Sequence, residues 1–182
     1  MKLFFDTEFT GLHKDTTLIS IGCVDENGRT FYAEFTDYDK SQCDDWIQKN
    51  VIDNLVFNKV EAIINDGDGY YNIKSNKARI REAFAEWLQV YEDVELVSDV
   101  CHYDMVLLID IFGTAFDLPR GVNAACHDIN QDIARYYGIS EIDAFDKSRE
   151  DIVKEAGASI NGLKHNSLYD AKVIKEIYEF IQ

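Results

Sequence analysis

Apolar and polar positions along the first third of the chain alternate in short blocks, the signature of strands joined by tight turns. Leu3-Phe4-Phe5 is a continuous apolar run and reads as a buried strand that ends in Asp6-Thr7-Glu8. Thr17 to Val24 reads as a second strand, Asn27-Gly28 as a hairpin turn, and Thr30 to Phe35 as a strand returning antiparallel. From there the spacing shifts toward 3.6 residues. Asp44 to Val51 predicts a short helix with acids in its first turn. Ser75 predicts a cap for a helix running to Tyr91, with Ile80, Phe84, Trp87, Leu88 and Tyr91 on one face. Val94 to Ser98 predicts a buried strand, and His102 to Phe112 a helix closed by Gly113. A loop around residues 114–121 carries the single proline, Pro119. Helices then follow at Asp128 to Tyr137 and Ser148 to Ala156, and a last one is capped by Ser167, with Asp170 three residues on in capping-box fashion.

Residues 53–75 read least clearly. Leu55 to Ile64 fits a helix or an irregular segment, and Asn65 to Gly69 reads as a loop, with a substrate-side flap as a minor expectation. An EF-hand fails here. Counted from Asp66, Tyr71 stands where the loop glycine belongs and Lys77 where the bidentate glutamate belongs.

Composition narrows the class. At 182 residues, 46% of them hydrophobic, the chain is read as one domain, 1–182, with a substantial core. Asp6 interrupts the N-terminal apolar run before it reaches the length of a secretory signal, and no run approaches a membrane span. Cys23, Cys43, Cys101 and Cys126 form no CxxC pair and read as reduced thiols of a cytoplasmic protein. The net charge of −16 argues against tight non-specific grip on long duplexes and leaves room for short ends or single strands. No phosphate-binding Gly-rich Lys-Ser/Thr loop and no Gly-x-Ser-x-Gly elbow is present.

The candidate chemistry begins with Asp6 and Glu8. Residues i and i+2 of a strand share a face, so both carboxylates point one way. Two like charges so held repel unless a cation lies between them, and hard oxygen ligands suit Mg²⁺ or Mn²⁺. Taken alone, Asp-x-Glu is more simply a solvated strand end. At the far end of the chain stand His165 and, five residues on, Asp170. A lone loop histidine is ordinarily structural, and His13, His102 and His127, which lack a comparable partner, are read that way.

Asp6, Glu8, Thr10, Gly11 and Leu12, taken with His165 and Asp170, resemble the first and third motifs of the DEDDh 3′–5′ exonucleases, the DnaQ-like group built on an RNase H-like fold. Phe5 to Phe9, the Leu18 to Gly22 strand and a Trp46-led segment after the third strand resemble a narrower branch, typified by a small mycobacterial exoribonuclease. The resemblance implies an α/β fold with a mixed sheet: an antiparallel meander of three strands, then parallel strands, flanked by helices. It also implies a fourth acid in mid-chain. Tyr103-Asp104, followed by apolar helix, matches that motif, with Asp99 as the alternative; alone, Asp104 is also readable as a solvated first-turn acid.

The implied activity is hydrolysis of phosphodiesters from 3′ ends of RNA or single-stranded DNA, releasing nucleoside monophosphates. Two divalent cations, Mg²⁺ or Mn²⁺, would be held by Asp6, Glu8, Asp104 and Asp170, with His165 as general base. Phe9, Thr10, Gly11, Leu12 and Tyr103 would meet the terminal nucleotide. Short substrates are favoured, no membrane is involved, and a homodimer is one expectation because dimers are common among such relatives. The competing classes are a non-catalytic module docking nucleic acid or protein, and an acidic nucleic-acid mimic.

Overall fold

The computed structural model describes residues 1–57, 62–65 and 69–182. Its centre is a seven-stranded mixed sheet with strands β1 (Lys2–Phe9), β2 (Leu18–Asp25), β3 (Thr30–Phe35), β4 (Ala62–Asn65), β5 (Tyr70–Ser75), β6 (Val94–Ser98) and β7 (Val122–Asp128). The order across the sheet is β4-β5-β3-β2-β1-β6-β7. β1, β2 and β3 form the expected antiparallel meander, and β6 and β7 add in parallel beside β1. This is the expected RNase H-like arrangement.

Seven α-helices accompany it among the described residues: α1 (Asp45–Asn50), α2 (Lys77–Leu88), α3 (His102–Phe112), α4 (Ile129–Tyr137), α5 (Glu141–Asp146), α6 (Arg149–Glu155) and α7 (Ser167–Phe180). β1 explains the layering. Leu3 and Phe5 point into a core shared with α2 and α3 through Ile80, Phe84, Leu108 and Phe112. Phe4 points the other way, into a core with Ile133, Ile152, Ile174 and Ile177 of α4, α6 and α7. A strand buried on both faces must be apolar at every position, and Leu3-Phe4-Phe5 is.

Several expectations change. Residues 62–65 form β4, where a helix or irregular chain was expected up to Ile64 and a loop from Asn65, and 70–75, the end of the stretch that read least clearly, form β5; β5 runs parallel to β3 and β4 antiparallel to β5. The parts of those expectations on 58–61 and 66–68 lie outside the described residues. Ser75 ends β5, and the Asn76 side chain caps α2, which stops at Leu88 rather than Tyr91. β7 and α5 were not foreseen. β7 is an edge strand of small and polar residues, Asn123-Ala124-Ala125, that carries little strand propensity, and α5 is too short to show a period. No described helix is long and apolar enough to cross a membrane.

One glycine fixes the geometry of the site. A Cβ on Gly22 would lie 2.3 Å from the backbone of Ser167 and Leu168, so only glycine lets the start of α7 press against β2. Ser20 and Ser167, both buried, hydrogen-bond each other at 2.9 Å at the same crossing. In the β1–β2 register Asp6 lies opposite Gly22 and Glu8 opposite Ser20. The first turn of α7 is thereby brought onto the strand that carries both acids.

Candidate active site

The C-terminal end of β1, the N-terminus of α3, the α5–α6 corner and the loop before α7 enclose a cleft of about 490 Å³. Asp6, Glu8, Asp104, His165 and Asp170 all line it, so segments at both ends and the middle of the chain converge.

β1 outruns β6: the last parallel pairing is Phe4 with Val97. The Thr7 N–H beyond it has no strand neighbour on that side, and Asp104 takes it up. The Thr7 N–H donates to Asp104 Oδ1 at 3.1 Å, and the Thr7 hydroxyl donates to the same oxygen. Ser98 Oγ donates to Oδ2 at 2.9 Å. The acid is therefore buried and positioned by β1 and β6 together. Asp99 has a different fate: Arg149 grips it with Nε at 2.6 Å and Nη2 at 2.9 Å, and Asn130 adds a third donor at 2.7 Å. Asp99 lines the cleft with its charge matched by a guanidinium; Asp104 has only hydroxyl and N–H donors.

At the start of α7, Asn166 rather than Ser167 caps the helix, accepting from the Tyr169 N–H. Ser167 spends its hydroxyl on Ser20. Asp170 reaches back to accept from the His165 N–H at 2.8 Å, not in a capping box. The Asn166 amide also donates to Tyr32 Oη and to the Asn54 carbonyl, each at 3.3 Å, and Asn54 Nδ2 donates to the Lys164 carbonyl at 3.0 Å. The His165 ring meets Trp46 of α1 edge-on, with centroids 5.0 Å apart. Glu8, His165 and Asp170 each offer a donor atom within 4.8 Å of the others.

The two non-glycine residues of positive φ among the described residues, Val100 (56°) and His165 (62°), both line this cleft. Such backbone costs on the order of 1 kcal/mol or more and persists only where surrounding bonds enforce it.

The electrostatics are those of crowded acids. Asp6 and Glu8 have no hydrogen-bond or ion-pair partner among the described residues. Burial raises Glu8 to about 8, helped by the charges of Asp170 and Asp104. Burial raises Asp170 to about 7, against the His165 N–H and Lys164. Asp104 rises to about 6, again by burial, with its Thr7 and Ser98 bonds opposing. Asp6 is held well above the carboxylate range, first by burial and then by Asp104, Asp170 and Glu8. His165 moves the other way: burial, then the Lys164 charge, lowers it and favours the neutral imidazole. A pocket of hard oxygen donors that all resist ionisation suits a divalent cation, which removes the cause of that resistance.

The expected nucleotide-side residues divide. Phe9 and Tyr103 stack with centroids 5.4 Å apart and line the cleft. Leu12, 79% exposed, stands at its rim. Thr10 is buried and does not line it: its hydroxyl accepts from the Thr17 N–H and donates to Gln42. Gly11 also lies off the cleft, its N–H donating to Thr16 Oγ1. Both residues tie down the loop that presents Leu12.

Sequence reasoning missed the wall formed by Phe145, Lys147, Arg149 and Glu150, because no spacing links α5 and α6 to the acid motifs. Trp46 had been noticed only as part of a resemblance. His127, read as structural or exposed, is hydrogen-bonded to Asp132, which Arg135 also holds.

A family model described as the 3′–5′ exoribonuclease Rv2179c-like domain matches residues 1–182. The chain is similar to the 3′–5′ exoribonuclease Rv2179c of Mycobacterium tuberculosis, 29% identical over 133 residues that cover 72% of this chain and 73% of that one. Among solved structures, its fold is similar to a 3′-exonuclease described in the 3′-end-specific recognition of histone mRNA stem-loop (TM-score 0.67, 13% identity), covering 97% of this chain and 61% of that one. It is likewise similar to the nuclease domain of 3′hExo, a DEDDh family member bound to rAMP (TM-score 0.62, 12% identity), covering 97% of this chain and 88% of that one. With its acids and histidine gathered at the end of β1 and its whole length matched, this chain belongs to the Rv2179c-like family of 3′–5′ exoribonuclease domains.

Proposed function

We propose that the protein hydrolyses phosphodiester bonds one nucleotide at a time from the 3′ ends of single-stranded RNA, releasing nucleoside monophosphates. The observation that carries this is the meeting of Asp6, Glu8, Asp104 and Asp170 around one cleft with the His165 ring beside two of them. Two divalent cations, Mg²⁺ or Mn²⁺, would when bound orient the scissile phosphate and offset charge on the attacking and leaving oxygens.

Asp6, Glu8 and Asp170 are the candidate direct ligands, since the Asp6 and Glu8 carboxylates have no partner among the described residues and Asp170 gives up only one oxygen to an N–H. Asp104, with both oxygens already accepting, acts at longer range through water. The neutral His165 imidazole takes a proton from the attacking water; its lowered pKa keeps it unprotonated at neutral pH. Trp46 and the positive φ of His165 hold the ring toward the acids. The Phe9–Tyr103 stack and Leu12 flank the terminal nucleotide, where base and sugar are held by contact rather than charge.

The deciding experiment incubates the protein with 3′-labelled RNA and DNA, with and without Mn²⁺. Mononucleotides released only with metal support the reading. RNA retained without cleavage makes the protein a docking module. Asp6→Ala and Asp170→Ala should each abolish hydrolysis in folded protein, and near-wild-type activity in either removes the metal assignment. His165→Ala should lower kcat by about 10²–10⁴-fold with metal binding little changed.

A further inference from the structure

Tyr103 lines two depressions. One is the acidic cleft; the other is a groove of about 680 Å³ between the loop after β1 and the outer face of α3, lined also by His13, Lys14, His102 and Val106. Tyr103, stacked on Phe9, is the side chain the two share. We infer that this groove holds the RNA strand upstream of the terminal nucleotide, so that it sets the preference for substrate length. The inference rests on the exonuclease reading and deepens it.

Three observations favour a single strand as occupant. The groove adjoins the cleft at Tyr103, the side chain that lines both, so a strand whose end lies among the acids has a path out over that ring. Its lining keeps the acid-to-base balance of the whole chain, Asp15 and Asp110 against Lys14, but adds two imidazoles and a phenol. Of its acids, Asp110 is held by Lys77 at 2.5 Å, and Asp15 lies 4.0 Å from Lys14. Finally, Val106 is 64% exposed on a helix whose opposite face is core, giving an apolar floor. Flat rings and an apolar floor with a nearby cation are what successive bases stack on, and such contacts tolerate any sequence.

His102→Ala and Val106→Asp test this, each at an exposed position. RNAs of two and six adenylates are compared by KM and kcat with Mn²⁺, and by anisotropy of 5′-fluorescein-labelled strands with Ca²⁺. Wild type should bind and turn over the hexamer at lower concentration than the dimer. Each variant should raise the hexamer KM and Kd about tenfold while leaving the dimer values and kcat in place, as expected for one lost stacking surface. Equal loss on both lengths, unchanged hexamer affinity, or no length dependence in wild type would overturn the groove. Length-dependent binding that the variants erase, in a protein that hydrolyses neither RNA, would keep the groove and sink the exonuclease reading.

Discussion

Two groups of carboxylates on one sheet have opposite surroundings. Asp25 and Glu34, on β2 and β3, are held by protein donors or a cation. Asp25 accepts from the Asn27 and Arg29 N–H groups and from Tyr91 Oη. Glu34 accepts from Tyr32 Oη and the Val56 and Phe57 N–H groups, and its second oxygen lies 3.0 Å from Lys74 Nζ. Asp6 and Glu8, on neighbouring β1, face other acids. Burying a charge without a partner is costly, so a fold keeps such groups only where something outside the chain completes them. The first pair holds the protein together; the second lies in the cleft without a matching charge.

Breaking the matched group should show the largest effect on stability. Glu34→Ala leaves Lys74 and two N–H groups without their acceptor, and about 3–5 kcal/mol should be lost in chemical denaturation. The loss should come without a direct effect on metal binding. A variant as stable as wild type would erase the distinction between the two groups.

The unmatched group should show itself through pH. Glu8, Asp170 and Asp104 titrate in the fold near 8, 7 and 6, above their usual range near 4. Between about pH 4 and 8 the folded protein then binds more protons than the unfolded chain, and metal-free stability falls as pH rises. A divalent cation displaces those protons, so Mn²⁺ should raise the melting temperature more at pH 8 than at pH 5.5. At 100-fold excess over its Kd the gain is about 2.7 kcal/mol. A shift independent of pH would mean that the ions bind elsewhere. For the same reason Glu8→Gln should stabilise the metal-free protein at pH 8, on the order of 2 kcal/mol, while activity falls.

How much of this was legible follows the same division. Asp6, Glu8, His165 and Asp170 were readable because a strand puts i and i+2 on one face and because the two motifs stand in the right order at either end. Leu3-Phe4-Phe5 gave β1 directly, since a doubly covered strand has no polar position. What was hidden depended on partners far away in sequence. Arg149 becomes part of the cleft only by finding Asp99, 50 residues earlier. β4 and β5 exist because β3 offers an edge, and Tyr-Tyr-Asn-Ile-Lys-Ser does not announce a strand by alternation. Gly22 was visible as a letter in a strand, but its reason, the backbone of α7 pressed against it, is wholly tertiary.

The smallest test concerns the link between the two groups. Asn166 caps α7 and also donates to Tyr32 Oη, the hydroxyl that bonds Glu34. One side chain therefore joins the matched acid to the loop that carries His165. Asn166→Ala should cost about 1 kcal/mol as a lost cap. If the amide only caps a helix, kcat should stay put and Asn166→Asp, which keeps the accepting oxygen, should restore everything. If it also fixes the loop, Asn166→Asp should recover stability yet leave kcat several-fold low, because a carboxylate can neither donate to Tyr32 and Asn54 nor sit quietly beside Glu34. A split between stability and rate in that variant would locate the positioning of His165 in the amide's two donated hydrogen bonds.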